Sequence, residues 1–160
     1  MTTRMATWGL LALLTLGIPA DARGQGRPLR VRGEQDLAFG ELLAGIATTV
    51  APTDPLGAAR LQISGAKDSD VLVSFFLPVA LLGPGGAALP LSFGPGSAGY
   101  SPDRSIETQL AFDPAVPSVL QLPGNGRGLI YLGGTALTPS SIPAGSYDAT
   151  ITVTISYVGN

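Results

Sequence analysis

Hydrophobic and polar residues alternate strictly near the end of the chain. From Tyr147 to Tyr157 one set of side chains is apolar or aromatic, and the set between them is mainly Thr and Ser. The first set comprises Tyr147, Ala149, Ile151, Val153, Ile155 and Tyr157. This period-two alternation, in β-branched and aromatic residues, is typical of a half-buried strand. Three residues follow, so we expect its neighbouring strand to come from upstream or from another molecule.

A second alternating segment lies near the start of the chain. Leu29, Val31, Leu37 and Phe39 share one face, whereas the opposite face is charged. The pattern predicts one or two strands. Further along, the apolar run 71–77 ends at Pro78, which predicts a central strand buried on both faces.

Short strands punctuated by turns are predicted over the rest of the chain. The chain contains 22 Gly and 14 Pro, which separate apolar or alternating stretches. The candidate strands are 41–50, 58–63, 89–93, 106–112, 118–122 and 129–134. The segment 124–128 predicts a tight hairpin turn, because its Asn-Gly pair readily adopts positive φ. We therefore predict an all-β fold, an immunoglobulin-like two-sheet β-sandwich of about seven or more strands.

The first residues have the pattern of a secretory signal peptide. Arg4 precedes an apolar run over residues 8–18, and Ala20-Asp21-Ala22 is a small-x-small cleavage site. We predict a cleaved signal peptide at 1–22 and a single β-sandwich domain at 23–160, with an N-terminal arm at 23–36. The run is shorter than the roughly 20 residues of a spanning helix, so we expect no stable membrane span after cleavage. The predicted location is secreted, from the periplasm to the cell surface.

Composition narrows the range of functions. Charged residues make up 12% of the chain and the net charge is -2, which provides no basis for binding nucleic acid. The absence of Cys excludes disulfides, and the absence of His removes the usual catalytic base and zinc ligand.

Three groups of side chains are candidates for chemistry. Ser64 and Lys67 match an S-x-x-K pattern, but the pattern needs a helix, and Gly65 in a strand-like stretch argues against one. Asp68 and Asp70 supply too few oxygens for calcium and predict a polar turn. The third group, which resembles a glycosidase carboxylate pair in composition, is Asp103, Glu107 and Asp113; the flanking prolines favour turns instead. We predict no enzymatic activity, no catalytic residue, no metal site and no cofactor.

Several segments together resemble a known group of proteins. They are 129–135, 142–147 and 151–157, with the phrases 37–40 and 63–65 upstream. The chain resembles an uncharacterised bacterial surface-protein β-sandwich family, similar to spore-coat-U-like and fimbrial (pilin) subunits. The resemblance spans most of residues 37–157. It implies a structural protein whose partners are copies of itself or related surface subunits, together with an assembly chaperone.

These observations lead to a hypothesis of strand donation. The donor arm would be Leu29, Val31, Leu37 and Phe39, and the acceptor strand would be Tyr147, Ile151, Val153, Ile155 and Tyr157. Burying the four donor side chains contributes roughly 6 to 12 kcal/mol before the arm is ordered. The same energy is gained whether the arm pairs within its own chain or with a neighbour, so both alternatives stay open. Each adds a strand to an exposed sheet edge.

The leading hypothesis is a secreted, non-catalytic structural subunit of a cell-surface assembly, such as a fimbria or coat. The alternative is a self-contained extracellular or periplasmic binding module for glycan. In that alternative Tyr100, in a Gly-rich loop, would stack on a sugar.

Overall fold

A computed structural model describes residues 27–159 of the chain. The predicted signal peptide 1–22 and the first four residues of the predicted arm lie outside the described residues. The described part is all-β apart from one 3-10 turn at Pro84–Gly86. Its strands are β1 (Arg30–Gln35), β2 (Thr48–Val50), β3 (Ala59–Ser64), β4 (Asp70–Phe76), β5 (Ala80–Leu82), β6 (Ala88–Ser92), β7 (Ala98–Ser101), β8 (Leu110–Phe112), β9 (Ser118–Gln121), β10 (Arg127–Leu132), β11 (Gly134–Ala136) and β12 (Thr152–Tyr157).

The strands form three antiparallel sheets, where the sequence predicted two. A five-stranded sheet has the order β1-β3-β10-β7-β8, a four-stranded sheet the order β2-β11-β6-β5, and a three-stranded sheet the order β12-β4-β9. The all-β prediction is confirmed, and the arrangement is consistent with a β-sandwich. The chain passes directly from β10 in the five-stranded sheet to β11 in the four-stranded sheet. Gly133 lies at this change of sheet. The position requires glycine, because a Cβ there would collide with the carbonyl oxygen of Val50.

The main core lies between the five-stranded and three-stranded sheets. Alternation places one set of side chains from each strand on the facing surfaces, where they exclude water. The five-stranded sheet contributes Ile63, Tyr100 and Ile130, and the three-stranded sheet contributes Val71, Val73 and Leu120. Ile63, Val71, Val73 and Ile130 have no exposed surface. Burying each such side chain contributes about 1.5 to 3 kcal/mol, so this cluster holds the two sheets face to face.

The four-stranded sheet packs over a separate apolar cluster. Leu81, Leu89 and Ala136 form its buried centre, and Phe39 and Tyr147 are among the partly buried residues packed on it. The ring of Tyr147 lies against Gly83, and its hydroxyl donates to the carbonyl oxygen of Pro143 at 2.8 Å. This cluster therefore joins residues from both ends of the described chain.

Strand β4 is central but is not buried on both faces. It pairs with β12 on one side and β9 on the other, over residues 70–76. Val71 and Val73 are buried, whereas Phe76 is 76% exposed. The prediction of two buried faces was wrong, because within the described residues this sheet packs on one face only.

The segment 124–128 turns the chain but does not make a hairpin. The amide of Gly126 donates to the carbonyl oxygen of Pro123 at 2.7 Å, and Gly126 has φ of 68°. However, β9 belongs to the three-stranded sheet and β10 to the five-stranded sheet. The turn was predicted correctly, and its role as a hairpin was wrong, because the chain crosses between the two facing sheets here.

Tyr100 links these two sheets directly. Its ring packs over Gly128, and its hydroxyl donates to the carbonyl oxygen of Gln121 at 2.7 Å. Burial raises the pKa of Tyr100 from 10.0 to about 12. The folded state thus favours the neutral phenol, and this contribution to stability is complete below pH 10.0 and is lost as pH rises to about 12.

We expect Tyr100→Phe to lower the free energy of unfolding by about 1 kcal/mol, because the hydrogen bond from the buried Tyr100 side chain to the carbonyl oxygen of Gln121 is lost. The loss of stability between pH 10.0 and about 12 should also become smaller. Urea unfolding followed by circular dichroism at several pH values measures both effects. Tyr147→Phe, which removes a more exposed hydrogen bond, is the control and should cost less. Equal losses in the two variants would contradict the linking role of Tyr100.

Candidate functional site

The final strand lies at the edge of the three-stranded sheet. Residues 152–157 of β12 pair with residues 71–76 of β4, and within the described residues no strand lies along the other side of β12. The predicted strand 147–157 thus begins five residues later than expected. At Asp148 the backbone instead exchanges two hydrogen bonds with Leu82, at 2.8 and 3.0 Å. The alternation continues across residues 149–151, but the chain changes from one sheet to another there.

The backbone geometry identifies which groups of β12 face outward. The amide of Val158 donates to the carbonyl oxygen of Asp70 at 3.0 Å. Hydrogen bonds to one neighbour alternate along an antiparallel strand, so Thr152, Thr154 and Ser156 direct their backbone groups toward β4. Val153, Ile155 and Tyr157 direct their N–H and C=O groups toward the open side. No described residue forms a hydrogen bond with these outward groups.

The side chains of β12 differ between the two surfaces of the sheet. Val153, Ile155 and Tyr157 point inward and pack partly buried against the main core. Thr152, Thr154 and Ser156 are exposed on the outer surface. No Asp, Glu, Lys or Arg occurs after Asp148. The edge is therefore an uncharged backbone ladder with an apolar inner side.

The other long edge strand differs from β12 in this respect. Strand β1 carries Arg30, Arg32 and Glu34, and its register with β3 shifts between Gly33 and Gln35. Charges and bulges are common features that prevent edge strands from pairing with other molecules. The remaining edge strands of the described part have three or four residues, and Pro117 and Pro123 bracket β9. Strand β12 has six residues, without charge, proline or bulge.

The sequence-predicted donor arm lies within its own chain in this structure. Strand β1 pairs with β3 from Arg30↔Ser64 to Gln35↔Arg60. Leu29 packs against the main core and Leu37 against a second cluster around Leu132. The arm also contacts the final strand, since the hydroxyl of Tyr157 donates to the carbonyl oxygen of Arg27 at 2.6 Å. Donation of this arm to a second copy stays a prediction.

A groove of about 1030 Å³ opens beside the start of β12. Residues 35–44 line one side, and residues 142–151 with Val153 line the other. Its apolar lining includes Leu37, Phe39 and Ile151 from the predicted donor and acceptor segments. Three acidic residues and no basic residue line it, namely Asp36, Glu41 and Asp148. Sequence reasoning did not find this groove, because its two sides are about 100 residues apart in the chain and no local pattern relates them.

The candidate chemical residues hold turns in this structure. The Asp103 carboxylate accepts hydrogen bonds from the hydroxyls of Ser101 and Thr108, each at 2.6 Å, and from the amide of Ser105 at 3.0 Å. The Asp113 carboxylate accepts from the amide of Ala115 at 2.9 Å. Ser64 ends β3 and Lys67 lies in the turn that follows, so no helix aligns them. Asp68 adopts a positive φ of 54° in that same turn.

Two further observations concern binding sites. Among residues 27–159 no cluster of three or more His, Cys, Asp or Glu side chains has the arrangement of a metal site. Tyr100 is 3% exposed and its hydroxyl is bonded within the core, so it is not available to stack on a sugar.

Within the described part no helix is long and apolar enough to cross a membrane.

No protein-family model matches this chain, and no curated protein matches it.

Acid titration tests the structural role of Asp103. Hydrogen bonds from Ser101, Thr108 and Ser105 lower the pKa of Asp103 from 3.8 to about 2. The folded state therefore favours the ionised form, and this contribution is present above pH 3.8 and is lost as pH falls to about 2. We expect Asp103→Asn to show a smaller loss of stability over that range, measured by urea unfolding. Glu107→Gln is the control, since the Glu107 carboxylate accepts no hydrogen bond from the described residues. An unchanged acid profile in Asp103→Asn would contradict this role.

Proposed function

We propose that this chain is a secreted, non-catalytic structural subunit of a cell-surface assembly, such as a fimbria or coat. Subunits join when a strand of one copy adds to the open side of β12 in another. The observation that carries the proposal is the uncharged edge at β12, whose outward N–H and C=O groups have no partner among the described residues. An extended segment placed there gains backbone hydrogen bonds and apolar contacts together.

The contrast between the edges supports this assignment. A protein that stays monomeric benefits from charges, prolines, bulges or short strands at its sheet edges. Strand β1 has charges and a bulge, and the shorter edges are limited by their length. Because β12 has none of these features, it is the described edge best suited to receive another strand.

The groove beside β12 supports a role in recognition. An added strand that continues past the start of β12 would meet an apolar lining that includes Leu37, Phe39 and Ile151. Each apolar side chain buried there contributes up to about 1.5 to 3 kcal/mol, and each backbone hydrogen bond about 0.5 to 1.5 kcal/mol net. Many such contacts together are needed to offset the roughly 4 to 15 kcal/mol that association costs, and the edge and the groove provide them side by side.

The finer parts of the proposal rest on the sequence. They are cleavage of the signal peptide 1–22, location from the periplasm to the cell surface, an immunoglobulin-like sandwich, and the resemblance to spore-coat-U-like and fimbrial subunits. Donation of the arm Leu29–Phe39 is one route to assembly. It would release β1 from its own β3 and place the arm beside β12 of a neighbour.

The second candidate function is a self-contained binding module. The groove favours it, because Tyr147 and three carboxylates line a cleft that is large enough for a small ligand. A glycan array distinguishes the two functions. A reproducible glycan hit that Tyr147→Ala abolishes, in a chain that stays monomeric, would support the binding module and contradict the structural subunit.

A proline on β12 tests the proposed edge. The N–H of Ile155 faces outward, so Ile155→Pro should leave the β12–β4 hydrogen bonds intact and block strand addition. Loss of the half-buried side chain should cost about 1 to 2 kcal/mol. Ile155→Ala shares that cost and keeps the N–H, so it is the matched control. We expect analytical ultracentrifugation to show association for the native chain and Ile155→Ala, and monomers for Ile155→Pro.

Thr154→Pro provides the second control. Its N–H faces β4, so this variant should lose the β12–β4 pairing and unfold more readily. Electron microscopy of the native cell-surface fraction then relates association to assembly. A native chain that stays monomeric at high concentration, or association that Ile155→Pro leaves unchanged, would overturn the proposed role of β12.

A further inference from the structure

We propose that the strand that adds to β12 is β12 of a second copy, in antiparallel orientation, with a two-fold axis at Ile155. This inference rests on the proposed function, in which β12 is the assembly edge, and it names the partner strand. The three-stranded sheets of two copies would join into one continuous sheet of order β9-β4-β12-β12-β4-β9.

The outward backbone groups of β12 are self-complementary. With the axis at Ile155, the Ile155 residues of the two copies form a hydrogen-bonded pair. Val153 of each copy then pairs with Tyr157 of the other. In such pairs each residue both donates and accepts, so every outward N–H and C=O of the three residues obtains a partner. An axis displaced by one residue, to Thr154 or Ser156, would pair only two of these three residues within β12.

The side chains match in the same register. Val153, Ile155 and Tyr157 all point inward, so apolar groups meet apolar groups at the junction. On the outer surface Thr154 of one copy lies opposite Ser156 of the other, and both are exposed hydroxyl residues. Cross-strand pairs of hydroxyl residues are favourable, whereas like charges placed opposite each other are unfavourable. Because the chain carries no charged residue after Asp148, two copies of this edge approach without repulsion between β12 side chains.

A second copy of β12 is favoured over the arm as the partner strand. The arm already forms the β1–β3 ladder over residues 30–35, with an ion pair between Glu34 and Arg60 at 3.3 Å. Its donation requires this ladder to open. Pairing of β12 with β12 opens no strand ladder among the described residues, because no described strand lies along this edge. It also yields a closed two-fold pair, which is the commonest symmetry of protein oligomers, and growth of the assembly beyond this pair needs a second contact elsewhere on the subunit.

Disulfide cross-linking tests the register, and the chain has no cysteine that would interfere. Thr154 and Ser156 lie opposite each other in a non-hydrogen-bonded pair, with Cα atoms about 4.5 Å apart, which a disulfide can span. The same residue in the two copies is offset by two positions, about 7 to 8 Å, which is too far. A mixture of purified Thr154→Cys and Ser156→Cys chains, oxidised under mild conditions, should form a cross-linked heterodimer. Either variant alone should stay largely uncross-linked.

Two controls make the result specific. A mixture of Thr152→Cys and Ser156→Cys should not cross-link, because these positions are offset across the proposed axis. A mixture of Arg32→Cys and Thr154→Cys reports whether the arm of one copy lies beside β12 of the other, since both side chains lie on the exposed faces of their strands. Circular dichroism of each variant verifies that the fold is retained, which the exposed positions on β12 favour.

The outcomes distinguish this inference from the proposed function. Cross-linking of the Thr154→Cys and Ser156→Cys mixture alone, with a doubled mass in sedimentation, supports the two-fold pairing. Cross-linking of only the Arg32→Cys and Thr154→Cys mixture overturns it and retains β12 as the assembly edge with the arm as donor. Cross-linking of Thr154→Cys by itself overturns the axis at Ile155. Monomers without any cross-link overturn both the pairing and the assembly role of β12.

Discussion

Face-to-face packing of the five-stranded and three-stranded sheets is the constraint on which the rest of the structure depends. Ile63 and Ile130 on one sheet meet Val71 and Val73 on the other, and all four are fully buried. This contact holds β4 with its inward residues toward the core and so determines which side chains of β12 turn inward. The same contact gives β12 its apolar inner side, because Val153, Ile155 and Tyr157 pack against this core. The outer backbone of β12 has no partner strand among the described residues, so the strand is an open edge.

The open edge and the core have opposite requirements. A buried apolar face favours close packing, whereas an unpaired backbone edge favours water or another strand. In this chain the other long edge strand, β1, is charged and bulged, so it has little tendency to pair with a strand of another molecule. Strand β12 combines Thr and Ser on the outside with aliphatic residues inside, which suits a junction between molecules. The groove beside it extends the same apolar surface toward residues 35–44.

Predictions from local pattern succeeded where one side of a strand is buried. The alternation at 151–157 corresponds to β12, because the period-two burial of a strand is visible directly in such a sequence. The apolar run at 71–77 corresponds to β4, although its second face is not buried as predicted. Strand β7 was missed, since Ala98 and Gly99 look like loop residues. A Cβ on Gly99 would collide with the side chain of Gln109, so close packing rather than β propensity determines that position. The groove, and the pairing of the arm with β3, were also not predicted, because each depends on residues that are far apart in sequence.

The sequence by itself determined the all-β class, the uncharged character of the final strand and the lack of His and Cys chemistry. These follow from composition and from the spacing of residues along one strand. Only the tertiary structure decided that the strands form three sheets, that segment 124–128 crosses between sheets, and that β12 is an edge. The physical reason is that strand order depends on which faces pack together across the core, and those contacts join segments with no local relationship.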